Sequence, residues 1–159
     1  IDANSFDALF AAEAEALGHA LEGAAVIACL AGDVRPYMVN ALDRLKAEGF
    51  GIGCITNNVK AGRGAAMARS EDKALQVESI MSRFEHVIES SKAGVLKPDP
   101  RIYQMMCEAL SVSPETCIYL DDLGINCKPA ATLGMHAIKV TSGEQALADL
   151  ESAVGLSLV

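Results

Sequence analysis

Two consecutive carboxylates, Asp121 and Asp122, close a short apolar run that begins at Cys117, and Gly124 and Asn126 follow them. The run is too short for a helix and has the β-branched and aromatic content of a strand buried on both faces. Acids at the carboxyl end of such a strand, at a turn into a helix, stand where open α/β sheets bind ligands. Adjacent carboxylates resist joint ionisation unless positive charge lies beside them. A hard divalent cation meets that need, and Mg²⁺, which takes few protein carboxylates and keeps several waters, fits it best. Asp-Asp-x-Gly is also an ordinary turn, so the acids gain chemical meaning only from what else the chain supplies. Asn126 is expected to cap the helix that follows.

Two further stretches supply it. Phe50–Thr56 reads as a buried strand ending in a hydroxyl, with Asn57 and Asn58 directly after it. Lys97-Pro98-Asp99-Pro100 reads as an extended lysine, a helix N-cap and a first helical proline. An ammonium just ahead of a helix start does not complement the helix dipole, which prefers anions there, and this points to a role beyond helix stability. Strand ends of one sense share an edge in a parallel sheet. The Thr56 hydroxyl, the Lys97 ammonium and the two acids are therefore expected in one cleft. Together they suit a metal-bound phosphoryl group, with Thr56 and an amide holding non-bridging oxygens, Lys97 neutralising charge and the acids holding the metal.

Elements must position these groups. Residues 1–31 are Ala-rich, with Leu9, Phe10, Ala14 and Leu17 at helical spacing; Ala24–Ala31 reads as either helix or loop. Pro36 opens a helix that Gly49 ends, with Val39, Leu42 and Leu45 as its apolar positions. Val59–Asp72 carries Lys60, Arg63 and Arg69 among small residues and reads as a solvated basic loop, or as a lid facing phosphate. Asp72–Phe84 is expected as helix and Glu85–Glu89 as a strand near a sheet edge. A helix after Pro100 is expected to bury Ile102, Met105, Met106 and Ala109. Beyond Asn126 a short helix should carry Pro129 in its first turn and end at Gly134. A strand at Met135–Val140 and a helix burying Ala146, Leu147 and Leu150 complete the chain. Helices and strands alternate from Pro36 onward, which is the pattern of a doubly wound parallel α/β sheet.

The composition sets limits. The chain has 159 residues, 51% of them hydrophobic, and a net charge of −8. That is enough apolar chain for a folded core, and an acidic balance that argues against nucleic-acid or membrane-surface binding. An anionic substrate would have to be held by local positive charge. The five cysteines show no metal-site spacing and read as buried, reduced thiols of a cytoplasmic protein. His19 reads as a surface residue. There is no apolar run long enough for a membrane span.

From Pro36 to about Val140 the motifs, in order, resemble the haloacid dehalogenase superfamily of hydrolases. They are Cys54-Ile-Thr56, Val95-Leu-Lys-Pro-Asp-Pro-Arg-Ile-Tyr103, and Tyr119-Leu-Asp-Asp-Leu-Gly-Ile-Asn126 followed by Lys128-Pro-Ala-Ala-Thr-Leu-Gly134. Their detail is similar to the N-terminal phosphatase domain of soluble epoxide hydrolases and its bacterial relatives. The resemblance implies a Mg²⁺-dependent phosphatase acting on a small phosphorylated substrate through an aspartyl-phosphate. It implies that Thr56 and Asn57 contact the phosphoryl group and that Lys97 bridges it to the nucleophile. Asp122 would be the direct metal ligand, with Asp121 and Asn126 nearby through water or hydrogen bonds. Residues 1–34 would be the remnant of a helical cap and 35–159 the α/β core. The family's first motif, an apolar strand ending in Asp-x-Asp, has no counterpart here, since Asp2-Ala-Asn4 follows no strand. The expectation is that an upstream segment fills the sheet centre and supplies the nucleophile, and that residues 1–159 alone are inactive. The alternatives are a non-catalytic binding protein of the same fold, a haloacid dehalogenase, and a receiver-type signalling domain. In the last of these the acids precede the Thr and Lys, the opposite of the order found here.

Overall fold

The structure, a computed structural model, describes residues 3–29, 32–58 and 71–158. In chain order these form α1 (Ala3–Ala16), α2 (Gly23–Cys29), α3 (Pro36–Ala47), β1 (Gly53–Thr56), α4 (Glu71–Met81), β2 (His86–Glu89), α5 (Ser90–Ala93), α6 (Pro100–Leu110), β3 (Ile118–Asp121), α7 (Gly124–Thr132), β4 (His136–Lys139) and α8 (Gly143–Val154), with a 3₁₀ turn at Pro114–Thr116 before β3. The chain divides into two compact units, one of residues 1–34 and 58–81, the other of 35–57 and 82–159.

The smaller unit is helical. The amide of Ala24 donates to Asp7 Oδ1 at 2.7 Å, tying the start of α2 to α1. Phe6 and Phe10 stack one helical turn apart. Ala24–Cys29, open between helix and loop in the sequence, is helix. Of the apolar positions expected to share a face of α1, only Ala14 is buried; Leu9 and Leu17 are exposed. Lys60, Arg63 and Arg69 lie outside the described residues, and with them the basic loop or lid.

Among the described residues, the larger unit contains every strand. β1 pairs in parallel with β2, from Gly53 opposite His86 to Thr56 opposite Glu89. β3 pairs in parallel with β4, from Ile118 opposite His136 to Asp121 opposite Lys139. Both pairs are parallel, as the alternation of elements suggests; among the described residues they form two two-stranded sheets, and no ladder joins β1 to β3. Helices and strands build two cores. Ile102, Tyr103 and Cys107 of α6 and Ala130 of α7 form one core, against which Ile55, Ile88, Tyr119 and Ala137 pack. Ala41 and Leu45 of α3 and Leu147 and Leu150 of α8 form the other, against Ile52, Ile118 and Leu120. β3 therefore sends Ile118 and Leu120 to one layer and Tyr119 to the other, the two-residue alternation of a strand buried on both faces.

Local signals explain the element ends. Asp99 caps α6 by accepting from the Arg101 amide at 3.0 Å, and Pro100 is its first residue. Ser142 caps α8 by accepting from the Gln145 amide. Two expectations need correction. The buried stripe of α6 is Ile102, Tyr103, Met106 and Cys107, whereas Met105 is exposed and Ala109 faces solvent. The helix packs against residues of both strand pairs, Ile55 and Ile88 of one and Tyr119 and Ala137 of the other, and buries adjacent positions at each turn. In addition, α7 starts at Gly124, so Pro129 sits inside the helix instead of in its first turn. The start is set early because the Asn126 and Cys127 amides both bond the Leu123 carbonyl. Pro129, lacking an N–H, costs the helix one internal bond.

The α6 core gives a direct test. Ile102 is fully buried and Met105 is 36% exposed. Ile102→Ala is expected to cost about 2–5 kcal/mol, as a cavity in a packed core does, and Met105→Ala well under half of that. Urea midpoints of the two variants, at an unchanged m-value, check this; equal losses would mean α6 is rotated from the orientation described.

Candidate active site

Asp121 is the last residue of β3 and is 8% exposed. A carboxylate buried this far is stable as an anion only if its oxygens are satisfied. Each oxygen here accepts twice. Oδ2 takes the Lys97 ammonium at 2.8 Å and the Tyr119 hydroxyl at 2.6 Å. Oδ1 takes the Leu123 amide and the Asn126 carboxamide, both at 2.9 Å. Burial raises the Asp121 pKa, but the hydrogen bonds from Lys97, Tyr119, the Leu123 amide and Asn126 outweigh it, and the carboxyl titrates below its ordinary range. The Tyr119 hydroxyl is pushed far up by burial and then by Asp121, so it remains a donor.

Tyr119 is two residues before Asp121 and lies on the same face of β3, which is why its hydroxyl meets the carboxylate. Tyr103 of α6 stands edge-on to the Tyr119 ring, with centroids 5.1 Å apart. Its own hydroxyl donates to the Asn126 carbonyl at 2.8 Å. The fully buried Tyr103 thus fixes both a ring wall for Tyr119 and the backbone of Asn126. Tyr103 and Tyr119 stand in the sequence motifs without a role of their own. The signal available was the two-residue spacing of Tyr119 from Asp121, on one side of a strand.

Lys97 is held at both ends. Its backbone amide donates to Asn57 Oδ1 at 2.9 Å, and its carbonyl accepts from Asn57 Nδ2 at 3.0 Å. Asn57 follows directly on β1, so this clamp ties the residue ahead of α6 to the carboxyl end of β1, while the ammonium reaches the carboxyl end of β3. The Lys97 side chain is only 13% exposed. One of its three donors goes to Asp121.

The expected residues do gather at the carboxyl ends of the strands, with a different division of labour. Thr56 ends β1, half-buried, beside Asn57. The Asn57 carboxamide is spent on the Lys97 backbone. Asn126 lies within α7, and its side chain reaches back to Asp121 instead of capping the helix; Leu123 occupies the cap position without a side-chain bond. Asp122 is exposed and makes no hydrogen bond or ion pair with a described residue. No group of three or more His, Cys, Asp or Glu side chains among the described residues could hold a metal by itself. The donor chemistry nonetheless fits Mg²⁺, which needs only one or two protein carboxylates beside water and phosphoryl oxygens: Asp122 offers an open hard oxygen donor, next to a carboxylate already saturated by hydrogen bonds. His19 is exposed, and of the cysteines only Cys107 and Cys127 are buried while Cys29 is exposed.

The description "Hydrolase: haloacid dehalogenase-like hydrolase" belongs to a family model that matches residues 3–134. Bifunctional epoxide hydrolase 2 of Sus scrofa is 35% identical over 125 residues, covering 77% of this chain and 21% of that protein. Phosphatase MT3486 of Mycobacterium tuberculosis (strain CDC 1551 / Oshkosh) is 33% identical over 113 residues, covering 71% of this chain and 47% of the relative. The crystal structure of HAD phosphatase from Thermococcus onnurineus shares the fold, with a TM-score of 0.60 at 19% identity over 80% of this chain and 60% of that one. The chain spans about half or less of the length of these two curated relatives. Since the family match runs from the first helix to the end of α7, it takes in Thr56, Lys97, the acid pair and Asn126 together, and the chain belongs to the haloacid dehalogenase-like hydrolases.

Proposed function

We propose that this chain is part of a Mg²⁺-dependent phosphatase that cleaves a small phosphomonoester through an aspartyl-phosphate, the nucleophilic Asp lying in a segment upstream of residues 1–159. The observation that carries the reading is the unequal treatment of the two acids. Asp121 is buried, saturated and paired with Lys97, and Asp122, its neighbour, stands open. A buried ammonium with donors to spare and an open carboxylate at the same strand end suit a dianionic phosphoryl group better than a neutral substrate. The phosphatase among the relatives supports the same chemistry.

In this reading Asp121 is a positioning residue. Pinned by four donors, it holds the Lys97 ammonium where a phosphoryl oxygen and the nucleophile would meet it. Thr56 and an amide at Asn57 would take non-bridging oxygens. Asp122 would hold Mg²⁺ directly, with Asp121 and Asn126 close by; the ion would neutralise phosphoryl charge and draw the substrate into line. A haloacid dehalogenase needs no such cation, and a binding protein of this fold needs no turnover. Release of inorganic phosphate from a generic phosphomonoester by the full-length gene product, dependent on Mg²⁺, separates the three; halide release without a divalent cation, or neither product, would replace the proposal with one of the alternatives.

Three variants of the full-length gene product extend the test. Lys97→Ala should lower kcat by roughly two to three orders of magnitude, the scale of one lost electrostatic contact to developing charge. Lys97→Arg should restore little, because a planar guanidinium does not occupy a compact ammonium site; wild-type kinetics in Lys97→Ala would place the chemistry elsewhere. Asp122→Asn should weaken Mg²⁺ binding in isothermal titration and abolish nearly all turnover, at an unchanged melting temperature, since Asp122 is exposed and carries no fold contact. Unaltered Mg²⁺ affinity would remove Asp122 from the metal site.

The Asp121 pairing has a pH signature. Its folded-state pKa lies below the ordinary 3.8. The stabilisation is therefore complete above that value, where the unfolded carboxyl is also ionised, and is lost as pH falls through the lower folded-state value. Urea midpoints measured from neutral pH downward should drop in that acid window. Asp121→Asn should be less stable at neutral pH, with the Lys97 ammonium left unpaired, and should show a flatter acid limb. Parallel acid limbs would show that the Asp121 pairing contributes nothing to the acid transition.

A further inference from the structure

Five cysteines are spread over the chain, and among the described residues one thiol pair is in contact: Cys107 Sγ and Cys117 Sγ are 4.0 Å apart. Cys107 is buried in the α6 core. Cys117 is half-buried, one residue before β3, with its thiol within 3.4 Å of the Ser113 carbonyl. The two sides of the pair differ in access. Cys117 lines an open hollow of about 460 Å³ together with Phe50, Glu115, Thr116, His136 and Val154, at the amino ends of β3 and β4 and so at the far end of these strands from Asp121. Sulfurs already touching need to approach by about 2 Å to reach bonding distance.

We propose that Cys107 and Cys117 form a reversible disulfide, made by exchange with a small disulfide of the glutathione class that enters through this hollow. The Cys117 thiolate attacks one sulfur of the oxidised glutathione and expels a first glutathione thiolate, leaving a mixed disulfide at Cys117. The Cys107 thiolate then attacks the Cys117 sulfur and expels the second. Two electrons pass from the protein pair to the glutathione disulfide, and the two protein thiol protons end on two molecules of glutathione. The product staples α6 to the foot of β3, so the redox state is read on the two elements that lead to Lys97 and Asp121.

The order of steps follows from access, since Cys117 lines the hollow and Cys107 is buried. Burial, and then the neighbouring Cys117, hold the Cys107 thiol at about 11, with Glu115 and Glu108 adding to the shift. Few Cys107 thiols are therefore ionised near neutrality, and the second step accelerates about tenfold per pH unit while pH stays well below that value, as the thiolate fraction grows.

The test treats the reduced full-length gene product with oxidised glutathione under native conditions, quenches with acid, alkylates remaining thiols and locates modifications by tandem mass spectrometry. The expected result is a glutathione adduct on Cys117 that gives way to a species lacking the two thiol hydrogens of Cys107 and Cys117, restored by dithiothreitol, with conversion faster as pH rises. Cys107→Ala should stop at the Cys117 adduct, and Cys117→Ala should form neither species. If Cys107→Ala fails to fold, the pH dependence of conversion in the unmodified protein decides the matter. Glutathionylation confined to Cys29, a Cys117 adduct that never converts, or linkage to Cys54 or Cys127 in place of Cys107 would each overturn the proposal.

Discussion

The ion pair between Lys97 and Asp121 is the contact on which the rest of the site depends. A carboxylate and an ammonium, both largely withdrawn from water, each need the other, because an unpaired buried charge costs several kcal/mol. That need places the turn carrying Lys97 against the end of β3. The Asn57 clamp then holds the Lys97 backbone against the end of β1. Through one residue, the carboxyl ends of two separate strand pairs are brought to one place. No strand-to-strand ladder does this among the described residues; side-chain hydrogen bonds and the shared α6 core do.

Satisfying Asp121 also decides what Asp122 can do. Two adjacent acids at a strand end begin as chemical equals. The strand period then turns Asp121 toward the layer that holds Tyr119 and α6, where four donors meet it. The residue after the strand falls outside the sheet's alternation and stays in solvent. In the proposed phosphatase this separates the two functions of the pair: one acid orients a cation of the protein, and the other is open to a cation from solution. The tyrosines reinforce the division. Tyr103 is anchored on the Asn126 carbonyl, and Tyr119 packs on Tyr103 and donates to Asp121. Packing is thus converted into carboxylate geometry, the kind of support that a preorganised site requires.

The core shows why such short strands suffice. Each strand has only four residues. The two faces of β3 are covered by helices, α6 and α7 on one side and α3 and α8 on the other. Burying both faces removes the polar alternation that a half-exposed strand would show. This is why the run at Cys117 reads as continuously apolar in the sequence.

The alternation of elements, the N-cap at Asp99, the buried strand ending in two acids and the gathering of Thr56, Lys97 and the acids at strand ends were all legible in the sequence. Each rests on local chemistry: proline geometry, side-chain capping, and apolar runs of strand length. Tertiary structure decided what depends on contacts between distant residues. It brought the Asn57 carboxamide to the Lys97 backbone and the Asn126 carboxamide to Asp121, partners that are distant in the chain. It turned Cys107 of α6 inward and left Met105 exposed, because the helix packs one face against residues of both strand pairs. It began α7 at Gly124 and so enclosed Pro129. The sequence by itself determined which residues could carry charge and where each strand would end. The fold alone determined which of two adjacent carboxylates is buried against the lysine, because that choice depends on which face of β3 meets α6, and spacing along the chain does not encode it.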